Sequence, residues 1–401
     1  VNQPLASVTP AGPHEAVKTR IAAAVDAARD EILDLSHRIH EHPEPAFEEV
    51  QAATWVAETL RSHGFAVEHP AGSLATAIRA IHPGGGGAGP RIGILAEYDA
   101  LPGLGHGCGH NTMAASGVGA AIALASIAAE LPGEIVFLGT PAEERGSGKK
   151  TMIDDGLFEG IDAALLFHPC DRSHVESQPL ASEDVDVVFH GLQAHAAADP
   201  WRGKNALDAM ILLFSSVGLW RQQLRTDARV HGIIQEGGTA ANIIPDRTRA
   251  WFMLRSADQA YYEEMKTRFI ALAEAAALAT DTKVEVGFSG GAMTMKQNRT
   301  LEARWVANAA AYGIVDQGPD PNSGSTDMGN VSWVCPTIHP ELAIAPEGTP
   351  GHSIRFRDAA ATPAADATTL LAATLVAQTA YELFVDPELV AAVWRDFRAG
   401  G

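Results

Sequence analysis

Cysteine is scarce in this chain: Cys108, Cys170 and Cys335 are the three present in 401 residues. Thiols so few and so scattered cannot build a disulfide framework, which points to a reducing compartment and an expected cytoplasmic location. Basic residues are also in deficit, 29 Lys and Arg against 49 Asp and Glu, for a formal net charge of -20. A surface of that sign repels polyanions, and no basic cluster interrupts it, so neither nucleic acid nor an anionic membrane is expected as a partner. Long apolar runs are missing as well. The Ala-rich run Ala115 to Ala129 is too short and too rich in small residues to span a bilayer and reads as a buried helix. No charged segment followed by an apolar core opens the chain, which begins at Val1 rather than methionine and leaves a processed start open. Internal repeats and low-complexity segments are absent.

What is present suits a soluble globular protein: 46% hydrophobic and 19% charged residues. Since single cores stop growing at about 250 to 300 residues, a chain of 401 residues predicts two domains. Apolar positions at helical spacing run from Ala16 to Arg38 and end at His42-Pro43-Glu44-Pro45, where two prolines stop a helix. A second helix is expected over Glu48 to His63, then strands over Phe65 to Glu68 and Thr76 to Ile81. The Gly/Pro segment His82 to Pro90 reads as an exposed hairpin or turn.

Three nearly continuous apolar runs follow, Ile92 to Ala96, Ile135 to Gly139 and Ala163 to Phe167. Each neighbours a helical pattern, which predicts strands buried on both faces of an α/β sheet. Polar groups come directly after them: Asp99, then Glu143 and Glu144, then His168. Ligands of open α/β sheets collect at the carboxyl ends of strands, so these groups can converge. From about Asp184 the pattern becomes strand Val185 to Phe189, helix Ala206 to Gln223, strands Arg229 to Gln235 and Thr248 to Leu254, helix Ala257 to Ala279, and strand Lys283 to Phe288. That β-α-β-β-α-β order is ferredoxin-like and is read as an insertion. Helices Arg299 to Tyr312 and Ala364 to Phe384 then return to the first domain. The expected architecture is therefore α/β: a catalytic domain (1–183 and 297–401) with a mixed, mainly parallel sheet flanked by helices, and an inserted α+β lid or dimerisation domain (184–296).

The strongest local signal is Gly105-His106-Gly107-Cys108-Gly109-His110-Asn111. A thiolate and an imidazole two residues apart, with glycines freeing the backbone between them, suit a soft-to-borderline divalent metal. The plainer alternative is a Gly-rich turn with a buried Cys and a helix-capping Asn111. Glu143-Glu144 is the second signal: one carboxylate can bind metal while its neighbour acts as general base, unless the pair is a solvated acidic loop. His168, in Phe167-His168-Pro169, and His352, in Gly351-His352-Ser353, can each be a ligand or an ordinary satisfied histidine. Together Cys108, His110, Glu144, His168 and His352 are donors enough for two ions.

In these motifs the chain resembles the metallopeptidase family of aminoacylases, bacterial glutamate carboxypeptidase, carnosinases and plant auxin-conjugate hydrolases. Ala96-Glu97-Tyr98-Asp99-Ala100-Leu101-Pro102, Gly105 to Asn111, and Thr140 to Glu144 look like the branch of aminobenzoyl-glutamate hydrolase and the Xaa-Arg dipeptidases. The similarity runs from about His37 to Phe356. It implies Cys108, His110, Glu144, His168 and His352 as metal ligands and Glu143 as general base. In the insertion it implies His195 as the group that stabilises the oxyanion, with Asn242 and Arg255 holding the substrate carbonyl or carboxylate. Taken without the resemblance, His195 reads as a polar residue near a helix start, Asn242 as a turn residue before Pro245, and Arg255 as a surface charge. The loop Asn322 to Gly329 resembles a pocket-lining segment and receives no role. One departure stands out: many members carry His-x-Asp where this chain has Glu97-Tyr98-Asp99.

The function so implied is a two-metal amidohydrolase that cleaves the amide of a dipeptide or an N-acyl or N-aroyl amino acid, a small-molecule substrate, with metal-activated water. Zinc is the default on ligand softness, with manganese, nickel or cobalt open, and a homodimer through the inserted domain is expected. Two alternatives stay in view. One keeps the metals and attacks a non-peptide C–N bond of a carbamoyl, ureido or aryl-amine group; the other is a non-catalytic metal-binding subunit.

Overall fold

The computed structural model describes residues 13–319 and 324–400 and divides into two compact units. The first comprises Val1–Ser177, Lys296–Asn322 and Asn330–Gly401; the second comprises Gln178–Met295 and Ser323–Gly329. The strands, in chain order, are β1 (Ala66–Glu68), β2 (Ile78–Pro83), β3 (Arg91–Glu97), β4 (Glu134–Thr140), β5 (Ala163–Leu165), β6 (His168–Cys170), β7 (Ala181–His190), β8 (Arg229–Glu236), β9 (Arg247–Ser256), β10 (Lys283–Ala292), β11 (Thr337–Ile338) and β12 (Glu341–Ala343).

A six-stranded sheet ordered β1-β2-β4-β3-β5-β11 forms the centre of the first unit. The pairs β3·β4, β3·β5 and β5·β11 are parallel, while β1·β2 and β2·β4 are antiparallel. β3 and β4 are buried along nearly their whole length, as their unbroken apolar runs require of strands covered on both faces. Because β4 lies between β2 and β3, the glycine-rich stretch between those two strands is a crossover, not the hairpin its composition suggested. It threads against other backbone: a Cβ on Gly84 would fall 2.2 Å from Leu131 O and one on Gly85 2.3 Å from Ala129 O, so no larger residue fits.

Helix His110–Ala125 is buried from His110 to Leu124 because it is sandwiched rather than amphipathic. Gly117 lets it approach β3 closely, since a Cβ there would sit 2.9 Å from Leu95 O. Helix Pro363–Val385 is long and apolar enough to cross a membrane, yet 78% of its apolar window is buried within the protein. The N-terminal helical pattern is two helices, Pro13–Ala27 and Arg29–Glu41, and the second ends immediately before His42-Pro43.

The third apolar run departs from expectation. It stops as a strand at Leu165 and resumes at His168, so His168 opens β6 rather than closing β5. Its partner segment carries the cause: β11 and β12 are separated by His339-Pro340, and Pro340 has no N–H for the ladder. His168 N instead donates to Pro340 O at 2.9 Å.

The second unit contains a four-stranded antiparallel sheet ordered β10-β7-β9-β8, with helices Ala206–Trp220 and Gln259–Ala279. This is the split ferredoxin-like topology. Alternation in β9 sends Phe252 and Leu254 inward, where they join Leu213, Met265 and Phe269 in one apolar cluster.

Candidate metal centre

Register determines which residues meet. Glu97 lies opposite Thr140 in the β3·β4 ladder, so the segments after both strands leave the sheet at the same edge. Asp99 is buried there and acts in two directions. Its Oδ1 lies 2.9 Å from His110 Nδ1, and its Oδ2 accepts a bond from Glu144 N, also at 2.9 Å. Since only acceptor oxygens of Asp99 face Nδ1, that nitrogen carries a proton, and Nε2 is left to offer its lone pair when a cation takes the place of a second proton, the arrangement of a metal-ligating imidazole. His168 is set the same way, with Nδ1 donating to Pro169 O at 2.7 Å and Nε2 lying 3.5 Å from Cys108 Sγ.

The backbone between these groups is tight. Gly109 has φ +78, and a Cβ there would lie 2.8 Å from Pro169 Cγ, so glycine is required between the Cys and the His. Ala142 holds a positive φ of 58, and its N–H donates to Glu49 Oε1 at 2.8 Å, which fixes the turn that presents Glu143 and Glu144. Burial pushes the Glu49 carboxyl up to about 7, although its hydrogen bonds oppose this. His352, also at positive φ, donates its N–H to Gly107 O at 3.0 Å and sets Nε2 3.4 Å from Glu144 Oε2.

Two triads result, Cys108-His110-His168 and Cys108-Glu144-His352, each with donor atoms within 4.8 Å of one another. Cys108 belongs to both. The structure thus brings together all five predicted ligand residues, and Glu143 stands beside them in a further group with Glu97 and His110. Asn111 is not the helix cap. It lies inside the helix, where Nδ2 donates to Ser36 Oγ and Ala360 O at 3.0 Å each.

Glu97 and Lys149 carry no expected role, yet both are fully buried at this edge. Lys149 Nζ reaches Glu97 Oε1 at 2.5 Å, while Glu97 Oε2 lies 3.2 Å from His110 Nε2 without hydrogen-bond alignment. Burial opposes ionisation of Glu97, but Lys149 and then His110 outweigh it and hold the carboxyl at about 2. The Cys108 thiol is pushed well above its ordinary value, first by burial and then by Glu144; coordination to a cation is what reverses such a shift.

These donors fit divalent ions. Glu97 Oε2, His110 Nε2 and Glu144 Oε1 are buried without hydrogen-bond partners, an arrangement proteins avoid unless an ion completes it. Four carboxyl groups (Glu97, Asp99, Glu143, Glu144) and a thiol converge, and Lys149 is the one buried Lys or Arg among the described residues.

The remaining expected residues lie in the second unit. His195 is exposed, and its Nδ1 accepts from Ala197 N and Ala198 N at 3.2 and 3.1 Å. Its proton therefore sits on Nε2, which faces outward as a donor. Backbone bonds tie this loop to Asn242: Ala196 N to Asn242 O at 3.0 Å and Ile244 N to Ala194 O at 2.9 Å. Arg255 is not brought to them. Asn242 precedes β9 whereas Arg255 sits near its far end, roughly 27 Å along extended chain from Arg247, and its guanidinium packs on Met253 Sδ at 3.0 and 3.1 Å. Of the Asn322 to Gly329 loop, residues 322 and 323 lie outside the described residues.

Comparison with known proteins places the chain in a family. Residues 93–374 match Peptidase family M20/M25/M40. The chain belongs to that family. It is 37% identical to mouse Xaa-Arg dipeptidase over 96% of this chain and 93% of the relative. To a p-aminobenzoyl-glutamate hydrolase chain from Escherichia coli K12 it is 30% identical, over 92% of each. Among solved structures, the aminobenzoyl-glutamate utilization protein of Klebsiella pneumoniae superposes with a TM-score of 0.72 at 19% identity, covering 90% of this chain and 96% of the other. A dinuclear metal-binding peptidase of Bacillus subtilis gives 0.69 at 22%, covering 90% and 99%. This M20/M25/M40 peptidase is a metal-dependent hydrolase.

The Glu97–Lys149 pair makes a prediction. In metal-free protein, Lys149→Met should cost about 3–5 kcal/mol in denaturant unfolding because it strands a buried carboxylate, and adding Glu97→Gln should recover most of that loss. A double variant no more stable than Lys149→Met would show that the pair is not coupled.

Proposed function

We propose that this chain cleaves the amide bond of a dipeptide or an N-acyl amino acid, with two divalent ions held by the paired triads that share Cys108. That sharing, with Glu143 alongside, is the observation that carries the reading. The names of the relatives at 37% and 30% identity, a dipeptidase and an aminobenzoyl-glutamate hydrolase, support an amide next to an amino acid as the bond attacked.

Cys108, His110 and His168 would hold one ion, and Cys108, Glu144 and His352 the other, with zinc the best match to a sulfur, nitrogen and oxygen donor set. Bound ions supply polarisation of the scissile carbonyl and a lowered pKa for water. The protein's own groups do the rest. Asp99 fixes the ring of His110 and the backbone of Glu144, so the cluster needs no rearrangement at the moment of reaction. Glu143 accepts a proton from the attacking water as its oxygen bonds to the carbonyl carbon, and delivers that proton to the leaving nitrogen as the C–N bond breaks. His195, whose outward Nε2–H is fixed by the two amides on Nδ1, is the proposed donor to the oxyanion. Asn242 is the proposed group for the substrate's carbonyl or carboxylate; Arg255, near the far end of β9, is not carried into this reading.

Assembly as a homodimer is part of the proposal, supported by the surface of the second unit. β8 is an edge strand, and its Ile233 lies opposite Trp251 of β9 with 57% and 40% of their surfaces exposed. Leu219 and Ile211 of helix Ala206–Trp220 are exposed too. An unpaired apolar edge of this kind invites association. Three unpaired thiols support the cytoplasmic assignment.

Glu143→Gln should lower kcat on a panel of dipeptides, N-acyl amino acids and aminobenzoyl-glutamate by about 10²–10⁴-fold while metal content stays unchanged. Near-normal turnover would remove Glu143 from the proton-transfer role, and a panel in which no substrate releases a carboxylate and an amine would sink the amidohydrolase reading. Sedimentation should give twice the chain mass for the unsubstituted protein and a shift to monomer for Ile233→Lys; a monomer from the outset contradicts the dimer.

A further inference from the structure

Outside the catalytic cluster, one other group of metal-type donors converges among the described residues: Cys170, His174 and Glu341, with ligand atoms within 4.8 Å of one another. We propose that these three side chains form a separate site for one borderline divalent cation, of which zinc is the best match to one sulfur, one nitrogen and one oxygen.

The donors are carried by hydrogen-bonded backbone rather than by a free loop. Cys170 ends β6 and Glu341 opens β12, and the two strands pair in parallel. His174 and Glu341 form a bridge of their own, His174 N to Glu341 O at 3.0 Å and Glu341 N to His174 O at 2.8 Å. Further bonds, Ile344 N to Cys170 O at 2.8 Å and Ala343 N to Ser173 Oγ at 3.1 Å, hold the intervening turn against β12. Backbone fixed in this way presets the donor spacing. His174 Nε2 stands 3.4 Å from Glu341 Oε1, which is the separation of two ligands at about 2.1 Å from a tetrahedral ion.

Charge and access agree with the spacing. A thiolate and a carboxylate match the charge of one dication and leave His174 neutral. Binding forms the sulfur–metal bond as one proton leaves Sγ for solvent. His174 is buried, whereas Cys170 and Glu341 are partly open, which gives the ion a way in. The ion would pin the segment that begins at His168 to β12, a structural duty distinct from the reaction.

Two measurements test the site. Protein stripped with chelator, reloaded with excess zinc and freed of unbound metal should hold one equivalent per chain more than Cys170→Ala or Glu341→Gln treated identically. The comparison is a difference, so it does not depend on how many ions the catalytic cluster holds. Loaded with cobalt(II), a Cys108→Ser chain should keep a thiolate-to-cobalt charge-transfer band, and Cys108→Ser/Cys170→Ala should lack it. Equal zinc content in the unsubstituted chain and a natively folded Cys170→Ala variant would overturn the proposal. So would the absence of a thiolate band in cobalt-loaded Cys108→Ser, the result that decides the matter if Cys170→Ala fails to fold.

Discussion

Taking a carboxylate out of water costs several kcal/mol unless opposite charge and hydrogen bonds compensate it. This protein places Glu97, Asp99, Glu143 and Glu144 at one edge of its sheet, with a thiol among them. Much of the first unit can be understood as compensation. Asp99 is satisfied by the His110 ring and the Glu144 amide, and Glu97 by Lys149 on one oxygen only. Those contacts leave Glu97 Oε2, Glu144 Oε1 and His110 Nε2 buried without hydrogen-bond partners. Cations complete such a site, which is reactive once they bind.

Precision comes from backbone rather than from side-chain packing. Parallel pairing of β3 with β4 sets Glu97 beside Thr140, which fixes where Asp99 and the Glu143-Glu144 turn emerge. Positive φ at Gly109, Ala142 and His352 lets the chain fold back around the donors, and the non-glycine members of that set are held by amide bonds, Ala142 N to Glu49 and His352 N to Gly107 O. Such strain persists only where the surroundings over-determine it. The second unit solves a simpler problem with its outward His195: two backbone amides on one ring nitrogen decide where the proton sits.

The buried strands were legible because apolar runs without alternation leave few other readings, and the ferredoxin-like order followed from element spacing. The clustering donors were legible through the Gly-rich Cys-x-His motif and the Glu pair, each next to a recognisable strand. Short elements were not. β6, β11 and β12 have three residues or fewer, too few for a period, and the break at Leu165 depends on Pro340, which lies far along the chain. Lys149 was invisible for a different reason: in Gly148-Lys149-Lys150 one lysine is fully buried and the next exposed, and composition cannot tell them apart. Glu97 looked like a missing imidazole, whereas the structure shows a buried carboxylate turned toward His110. Arg255 was carried by resemblance alone, and extended-strand geometry separates it from Asn242.

Cys108 as the residue common to two ion sites is the claim on which the functional account stands. Anomalous diffraction from crystals grown with zinc tests it most directly. The account predicts two peaks about 3.5 to 4 Å apart with Cys108 Sγ bound to both, one also contacting His110 and His168 and the other Glu144 and His352. A single peak at this edge of the sheet, or two peaks with Cys108 turned away, would contradict it.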